Sequence, residues 1–274
     1  MIDDFIEEEL SYFEPMLKRI ALATDELRKT WRAETVGERL NRVSTEVHEI
    51  CNGVVKYGPF RGLKLDKKVW WGQSDLGSQL LGLYEKEILD FFDMIEPGKF
   101  SSFVDLGAAD GYYAVGALHT GKFLRSVCYE VSFEGQSAIK RNWKSNGAPG
   151  ELLVRGEANS KTLLDDQITF GDDTLVLIDI EGGEFDILTD DVLKHLRSCE
   201  IIVEIHNWVP DFKARYSDLL RRIASIFDVS IVNRVERPTV NIPELRSFTD
   251  DNRLLVTSER RPCLMRFLRL HPRL

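Results

Sequence analysis

Phe103 to Gly111, FVDLGAADG, decides how this chain is read. A short apolar run ends in an acid, then turns through small residues into YYAVGALH. The pattern predicts a buried strand over Ser102 to Leu106, a tight turn over Gly107 to Gly111 and a helix over 111–119. The spacing Asp105-x-Gly107-x-x-x-Gly111 suits the carboxyl end of a parallel strand beside a nucleotide-like ligand. Glycine lets the backbone come close and take positive φ, and a helix N-terminus offers free N–H groups. It is not the dinucleotide fingerprint G-x-G-x-x-G, because position 109 is Ala and neither 110 nor 112 is Gly.

The remaining 265 residues bound what that motif can belong to. The chain has 274 residues, is 43% hydrophobic and 30% charged, and carries a net charge of −9. Those values suit a globular α/β protein with a real core and argue against a general nucleic-acid binder. Six acids and no base stand in the first fourteen residues, while five arginines lie between Arg260 and Arg273. Cysteines at 51, 128, 199 and 263 are far apart in sequence, so no C-x-x-C pair exists. A reducing cytoplasm is the expected location. No signal-like N-terminus and no apolar run of membrane-spanning length is seen, so no membrane association is expected.

Residues 2–31 carry a helical stripe, Ile2, Ile6, Leu10, Phe13, Leu17, Ile20, Leu27 and Trp31, with Pro15 as its expected interruption. A second stripe runs Val36, Leu40, Val43, Val47, Ile50, Val54 and resembles a short coiled-coil seam. These helices are expected to pack on the main domain, with a homodimer through them as the alternative. Residues 56–74 read as a structured connection or hairpin, in which Trp70 and Trp71 either flank a ligand or fasten the helices. Ser74 is expected to cap one helix running to Pro97-Gly98.

Strand and helix then alternate: strands at 102–106, 126–130, 151–155, 174–180, 200–205 and 228–233, and helices at 132–145, 160–166, after Thr189, and 212–227. Residues 234–261 read as polar and irregular, and 262–270 as a last strand paired antiparallel at the edge. The expected fold is a Rossmann-like, doubly wound, seven-stranded, mostly parallel sheet with an antiparallel edge strand and an N-terminal helical extension. The division drawn is 1–73 for the extension and connecting segment, and 74–274 for the catalytic domain.

Ligands of such sheets bind beyond the carboxyl ends of the strands, and here each end presents an acid. Strand one gives Asp105, and strand two gives Glu130. Gly156-Glu157-Ala158 follows strand three, Asp179-Ile180-Glu181-Gly182-Gly183-Glu184 follows strand four, and Glu204-Ile205-His206 ends strand five. Glu130 lies near the offset of a carboxylate that accepts both ribose hydroxyls. A carboxylate-lined pocket suits a cationic ligand rich in donors and suits a pyrophosphate poorly. S-adenosylmethionine, with its ammonium, sulfonium, ribose diol and adenine amine, is favoured over NAD.

The stretch 103–206 resembles the Rossmann-like (class I) S-adenosylmethionine-dependent methyltransferases, and within them the FkbM-type family. The matching pieces are VDLGAADGYYAVGAL, VCYEVS, LIDIEGGEFDIL and IIVEIHNW, with Ala109 standing where many methyltransferases have glycine. The resemblance implies that Asp105, Gly107 and Gly111, with Ala108 and Tyr112 beside them, shape the methionine side of the cofactor site. Glu130 would hold the ribose, Glu157 and Ala158 would lie by the adenine, and Asp179 would face the amino-acid part or the reaction centre. It further implies O-methylation of a hydroxyl on a sugar or secondary metabolite, a small-molecule acceptor. His206 is the expected catalytic base, with Glu181 and Glu184 in reserve.

A divalent cation gathered by Asp179, Glu181, Glu204 and His206 is the lesser alternative, and the expectation is no metal, since Glu204 must face away from Ile205. Arg234, Arg237, Arg246 and Arg253 hint at an anionic acceptor or are ordinary surface arginines. The rival functions are a non-catalytic cofactor- or partner-binding domain and an NAD-linked oxidoreductase.

Overall fold

The structure is a computed structural model and describes residues 2–166, 170–261 and 265–273. Three helices come first: α1 (Ile2–Leu22), α2 (Asp25–Ala33) and α3 (Val36–Cys51). Then α4 (Leu76–Leu80) and α5 (Lys86–Met94) lead into β1 (Ser102–Leu106), α6 (Tyr112–His119), β2 (Arg125–Tyr129), α7 (Phe133–Ser145), β3 (Glu151–Arg155), α8 (Ser160–Asp165) and β4 (Thr174–Ile178). The chain continues through α9 (Glu184–Ile187), α10 (Asp190–His195), β5 (Glu200–Ile205), α11 (Phe212–Ala224), β6 (Phe227–Val232), α12 (Asp250–Leu255) and β7 (Arg266–Pro272).

The seven strands form one sheet in the order β3-β2-β1-β4-β5-β7-β6. The first five in that order pair in parallel, and β7 runs antiparallel to both neighbours. This is the expected architecture. Alternation along the strands divides the core into two layers. Phe103, Leu175, Leu177 and Ile202 face one side, toward α3, α4, α5 and α6. Val104, Leu106, Val176, Ile178 and Val203 face the other, toward α10 and α11. Asp105 shares the face of Phe103, two residues before it.

The N-terminal third departs from expectation in detail. The first stripe is two helices, broken at Ala23-Thr24 and not at Pro15, which lies inside α1. The break comes where Thr24 caps α2 by accepting a hydrogen bond from Leu27 N. Neither α1 nor α2 has a buried residue, whereas α3 gives Leu40, Val43, Val47 and Cys51 to the interior. The expected helix after Ser74 is two short helices, α4 and α5, separated at Glu85, whose φ is +41°. Asp75, and not Ser74, occupies the cap position, and it makes no side-chain capping bond. Ser74 instead accepts from Ser44 Oγ at its carbonyl.

Further on, β2 and β6 each begin one residue earlier than expected, and β4 stops at Ile178. Residues 234–261 are not wholly irregular: Thr249 caps α12 there through Asn252 N. Cys51, Cys128 and Cys199 are buried free thiols; Cys263 and the expected start of the last strand, 262–264, lie outside the described residues. Among the described residues no helix is long and apolar enough to cross a membrane.

The sheet reverses its winding between β1 and β4, and a crevice opens there beyond the strand ends. The two strands are joined tightly at that point. Asp179 N donates to Leu106 O at 2.9 Å, and Gly107 takes φ +94°. A Cβ on Gly107 would stand 1.7 Å from the carbonyl oxygen of Asp179. Gly107→Ala therefore combines left-handed strain with a backbone collision and is expected to cost more than about 3 kcal/mol. A thermal melt that matched wild type would show that the junction is slack.

Candidate functional site

At the β1/β4 crevice lies a cleft of about 560 Å³. Among the described residues eight acids line it, Asp75, Asp105, Asp110, Glu130, Glu157, Asp179, Glu181 and Asp186, with no Lys, Arg or His. Its aromatic wall comprises Trp70, Trp71, Tyr84, Tyr112, Tyr113 and Tyr129. A second cleft of about 330 Å³ adjoins it, lined by His206, Trp208, Glu204, Glu85, Glu259 and Arg261 among others. Trp71, Asp75, Tyr84, Asp179 and Glu181 belong to both.

Most of the residues expected to hold the cofactor are brought together. Asp105, Gly107, Ala108, Tyr112, Glu130, Glu157, Ala158 and Asp179 all line the larger cleft. Gly111 does not; it caps α6 at φ +81°, where a Cβ would press Ile139 at 3.1 Å. Its place is to let the chain turn into α6. Ala109 lines the cleft at φ +47°, the left-handed region where glycine rests more easily. Its N–H donates to Glu130 Oε2 at 3.0 Å, and Ser132 N donates to Oε1 at 2.7 Å. Glu130 is thus fixed at the end of β2, with lone pairs left on both oxygens.

Asp110 is a residue that the sequence reading missed. Its two carboxylate oxygens accept from Trp70 N at 2.6 Å and Trp71 N at 2.8 Å. Asn142 Nδ2 donates to its carbonyl at 2.9 Å. The segment is thus fastened to the turn after β1, and Trp70 and Trp71 line the cleft. The signal was an acid inside the glycine turn with no ligand role of its own.

His206 lies in the second cleft, not the first. Glu184, wholly buried, accepts from His206 N at 2.8 Å and lies 3.2 Å from Nδ1 with each carboxylate oxygen. Glu184 lines neither cleft, so its expected role as a reserve base is corrected: it is placed to position the imidazole. On the other side, Nε2 stands 3.4 Å from Asp179 Oδ1, 3.6 Å from Glu204 Oε2 and 3.7 Å from Glu181 Oε2. Glu204 and His206 lie on the same face because they are two residues apart in a strand, so facing away from Ile205 does not separate them. Burial would lower the imidazole's pKa, but its contacts with Asp179 and Glu184 and the charges of both outweigh that and push it up to about 10. An imidazole held that high keeps its proton at neutral pH.

Several acids of the two clefts are shifted upward. Burial pushes Asp75 up to about 7, helped by the charge of Glu259. Burial, then the charge of Asp179, pushes Asp105 up to about 8. Burial also raises Glu85, Glu130 and Glu181. Arg261 relieves part of this crowding by pairing with Glu85 Oε1 and Glu259 Oε2, each at 2.6 Å, and with Glu204. Tyr113 OH donates to the other oxygen of Glu85 at 2.8 Å.

The arginines of 234–261 are committed elsewhere. Arg234 pairs with Glu259 at 3.2 Å, and Arg237 with Glu87 at 3.6 Å and with Glu259. Arg253 pairs with Asp250, and Arg246 lies over the Tyr12 ring at 5.3 Å. None of the four lines either cleft.

No family model matches the chain, and no curated protein matches it. Solved structures do. Precorrin 8W decarboxylase of Methanobacterium thermoautotrophicum is 18% identical over 68% of this chain and 88% of its own, with a TM-score of 0.41. Precorrin-6y C5,15-methyltransferase of Geobacter metallireducens is 14% identical over 62% and 80%, at 0.38. M. capricolum TrmK, in complex with S-adenosyl-homocysteine, is 10% identical over 64% of each chain, at 0.39. At TM-scores below 0.5 these likenesses carry no weight for function, and the site stands on its own residues.

Asp75 and Asp105 hold a proton more tightly folded than unfolded. Their contribution to stability is full below about pH 4 and is lost as pH rises through about 7 and about 8. His206 acts in the same direction, from about 6.5 to about 10. In chelator and without ligand, the melting temperature is expected to fall steadily from pH 5 to pH 9. Asp105→Asn is expected to flatten the fall below pH 8; an unchanged slope would show that Asp105 is ionised throughout.

Proposed function

We propose that this chain is an S-adenosylmethionine-dependent methyltransferase that methylates a hydroxyl of a sugar or other secondary metabolite. The observation that carries the reading is the lining of the larger cleft: among the described residues, eight acids and no basic side chain. Such a lining favours a cation with hydroxyl and amine donors and disfavours a pyrophosphate, which wants N–H donors. Asp105 Oδ2 is buried without a hydrogen-bond partner, an acceptor left for an ammonium or hydroxyl. Glu130 stands where it can accept from a ribose diol. Membership of the FkbM-type family and a cytoplasmic location belong to this proposal as well.

Bound in the cleft, S-adenosylmethionine supplies a methyl group already activated on sulfonium. The chain's own work is to orient an acceptor, exclude water and remove the hydroxyl proton. The second cleft is the acceptor's place in this reading, because it meets the first at Asp75, Asp179 and Glu181. Trp71 and Trp208 give it apolar faces of the kind on which sugar rings rest, and Trp208 packs edge-on to His206 at 4.8 Å. With His206 already protonated, Asp75 is the better base. It opens on both clefts, and its pKa matches the pH at which it would work.

Calorimetric titration with S-adenosylmethionine, S-adenosylhomocysteine and NAD tests the donor. Binding of the first two without the third is expected; binding of NAD alone would overturn the reading. Asp75→Asn is expected to lower turnover by about 100-fold or more while cofactor affinity stays unchanged. Wild-type turnover should rise with pH through a midpoint near 7. Undiminished turnover in that variant would return the base to Glu181.

A homodimer through α1 is kept in the proposal on the exposed side chains of Ile6, Leu10, Phe13 and Leu17. A monomeric mass by light scattering would reject it.

A further inference from the structure

The group around His206 has a geometry that hydrogen bonding does not explain. Its imidazole is 1% exposed, and Nε2 points at carboxylate oxygens 3.4 to 3.7 Å away. Good N–H···O bonds are about 2.7–3.2 Å, so all of these contacts are too long. Asp179 Oδ1, the nearest, is covered and has no hydrogen-bond partner in the protein. A buried ring nitrogen and a buried carboxylate oxygen thus face one another with space between them. One donor atom each from Asp179, Glu181 and His206 falls within 4.8 Å of the others. Adjacent ligands of an ion bound at about 2.1–2.4 Å lie about 3.0–3.4 Å apart, so small rotations of these side chains suffice to enclose one.

The other side of the ring supplies a second, independent mark. Glu184 grips Nδ1 and the backbone N–H of the same residue from behind. Held this way, Nδ1 keeps its proton, and Nε2 is the atom turned to the carboxylates, where an ion would take the place of its proton. A buried carboxylate on the far nitrogen is how ligating histidines are oriented and made more basic. Glu204 shares its Oε1 with Arg261 and turns its Oε2 toward Nε2 at 3.6 Å, so it stands beside the set.

We propose that Asp179, Glu181 and His206 bind one divalent cation of the Mn²⁺/Mg²⁺ class, with Glu184 as the residue that positions His206. Two carboxylates and one imidazole suit Mn²⁺ best among hard ions, and the mixed set leaves coordination places for oxygen ligands. The site sits where the two clefts meet. It rests on the proposed function only for its purpose: an acceptor hydroxyl bound there becomes more acidic and gives up its proton more readily. The ion itself is a property of this chain's residues.

The test uses the full-length protein, stripped with chelator and dialysed, titrated with Mn²⁺ alone and followed by the free-ion paramagnetic resonance signal. One Mn²⁺ per chain is expected, displaceable by excess Mg²⁺. Glu181→Gln, at an exposed side chain that folding does not need, is expected to weaken binding about tenfold or more. Glu184→Gln is expected to weaken it about 10–100-fold while circular dichroism stays native. Absence of stoichiometric Mn²⁺, or Mn²⁺ affinity equal in wild type, Glu181→Gln and His206→Gln, would overturn the site. S-adenosylmethionine titrated in chelator separates the two ideas. Cofactor binding without any Mn²⁺ site would leave the methyltransferase reading and remove this inference. A Mn²⁺ site in a protein that binds no cofactor would do the reverse.

Discussion

The contact between Gly107 and the backbone of Asp179 is the constraint on which the site depends. Strands β1 and β4 leave the sheet in company at the point where the winding reverses, and the space for a ligand opens above them. Glycine at 107 lets the two chains touch. The acid two residues before it and the acid across from it are thereby brought to one wall. Asp105 is pushed upward by burial and by the charge of Asp179, and each of the two carries a buried oxygen without a hydrogen-bond partner. A wider junction would hydrate them and erase that upward push.

Much of this was legible in the sequence because short buried strands carry two independent signals. Phe103, Val104, Leu175, Val176, Leu177 and Ile178 are apolar on both faces, and an acid closes each run. The elements expected between β1 and β5 therefore fall within a residue or two of their bounds, while the single turn of α9 was not expected. The stretch from Ser74 to Pro97 was less legible. Its apolar spacing fits one helix, yet a left-handed Glu85 divides it, and that residue turns because Arg261 and Tyr113 hold its carboxylate. Those partners lie 176 and 28 positions away in sequence, beyond the reach of local periodicity.

The candidate site shows the same division. Strand-end acids could be found because position in the topology predicts them. What each acid does could not, since a role follows from neighbours. His206 looked like a base from its residue type, but Asp179 and Glu184 beside it push its pKa upward. Asp75 carried no signal in the sequence, where its neighbour Ser74 read as the helix cap, yet it lines two clefts at once. Glu181 and Glu184 stand three apart in one acidic run, and only the fold separates the half-exposed one from the buried one.

The hold of Asp110 on the Trp70 and Trp71 amides has a bearing on traffic through the larger cleft. Both oxygens of one carboxylate are spent on that backbone, so the wall cannot swing outward as a hinged flap without breaking two charge-assisted bonds together. The indoles are not tied in this way. They are about half exposed, and they can rotate about their own side-chain bonds. The motion left to this wall is rotation of two side chains on a fixed frame, on the nanosecond scale of surface rotamers and not on the far slower scale of loop opening.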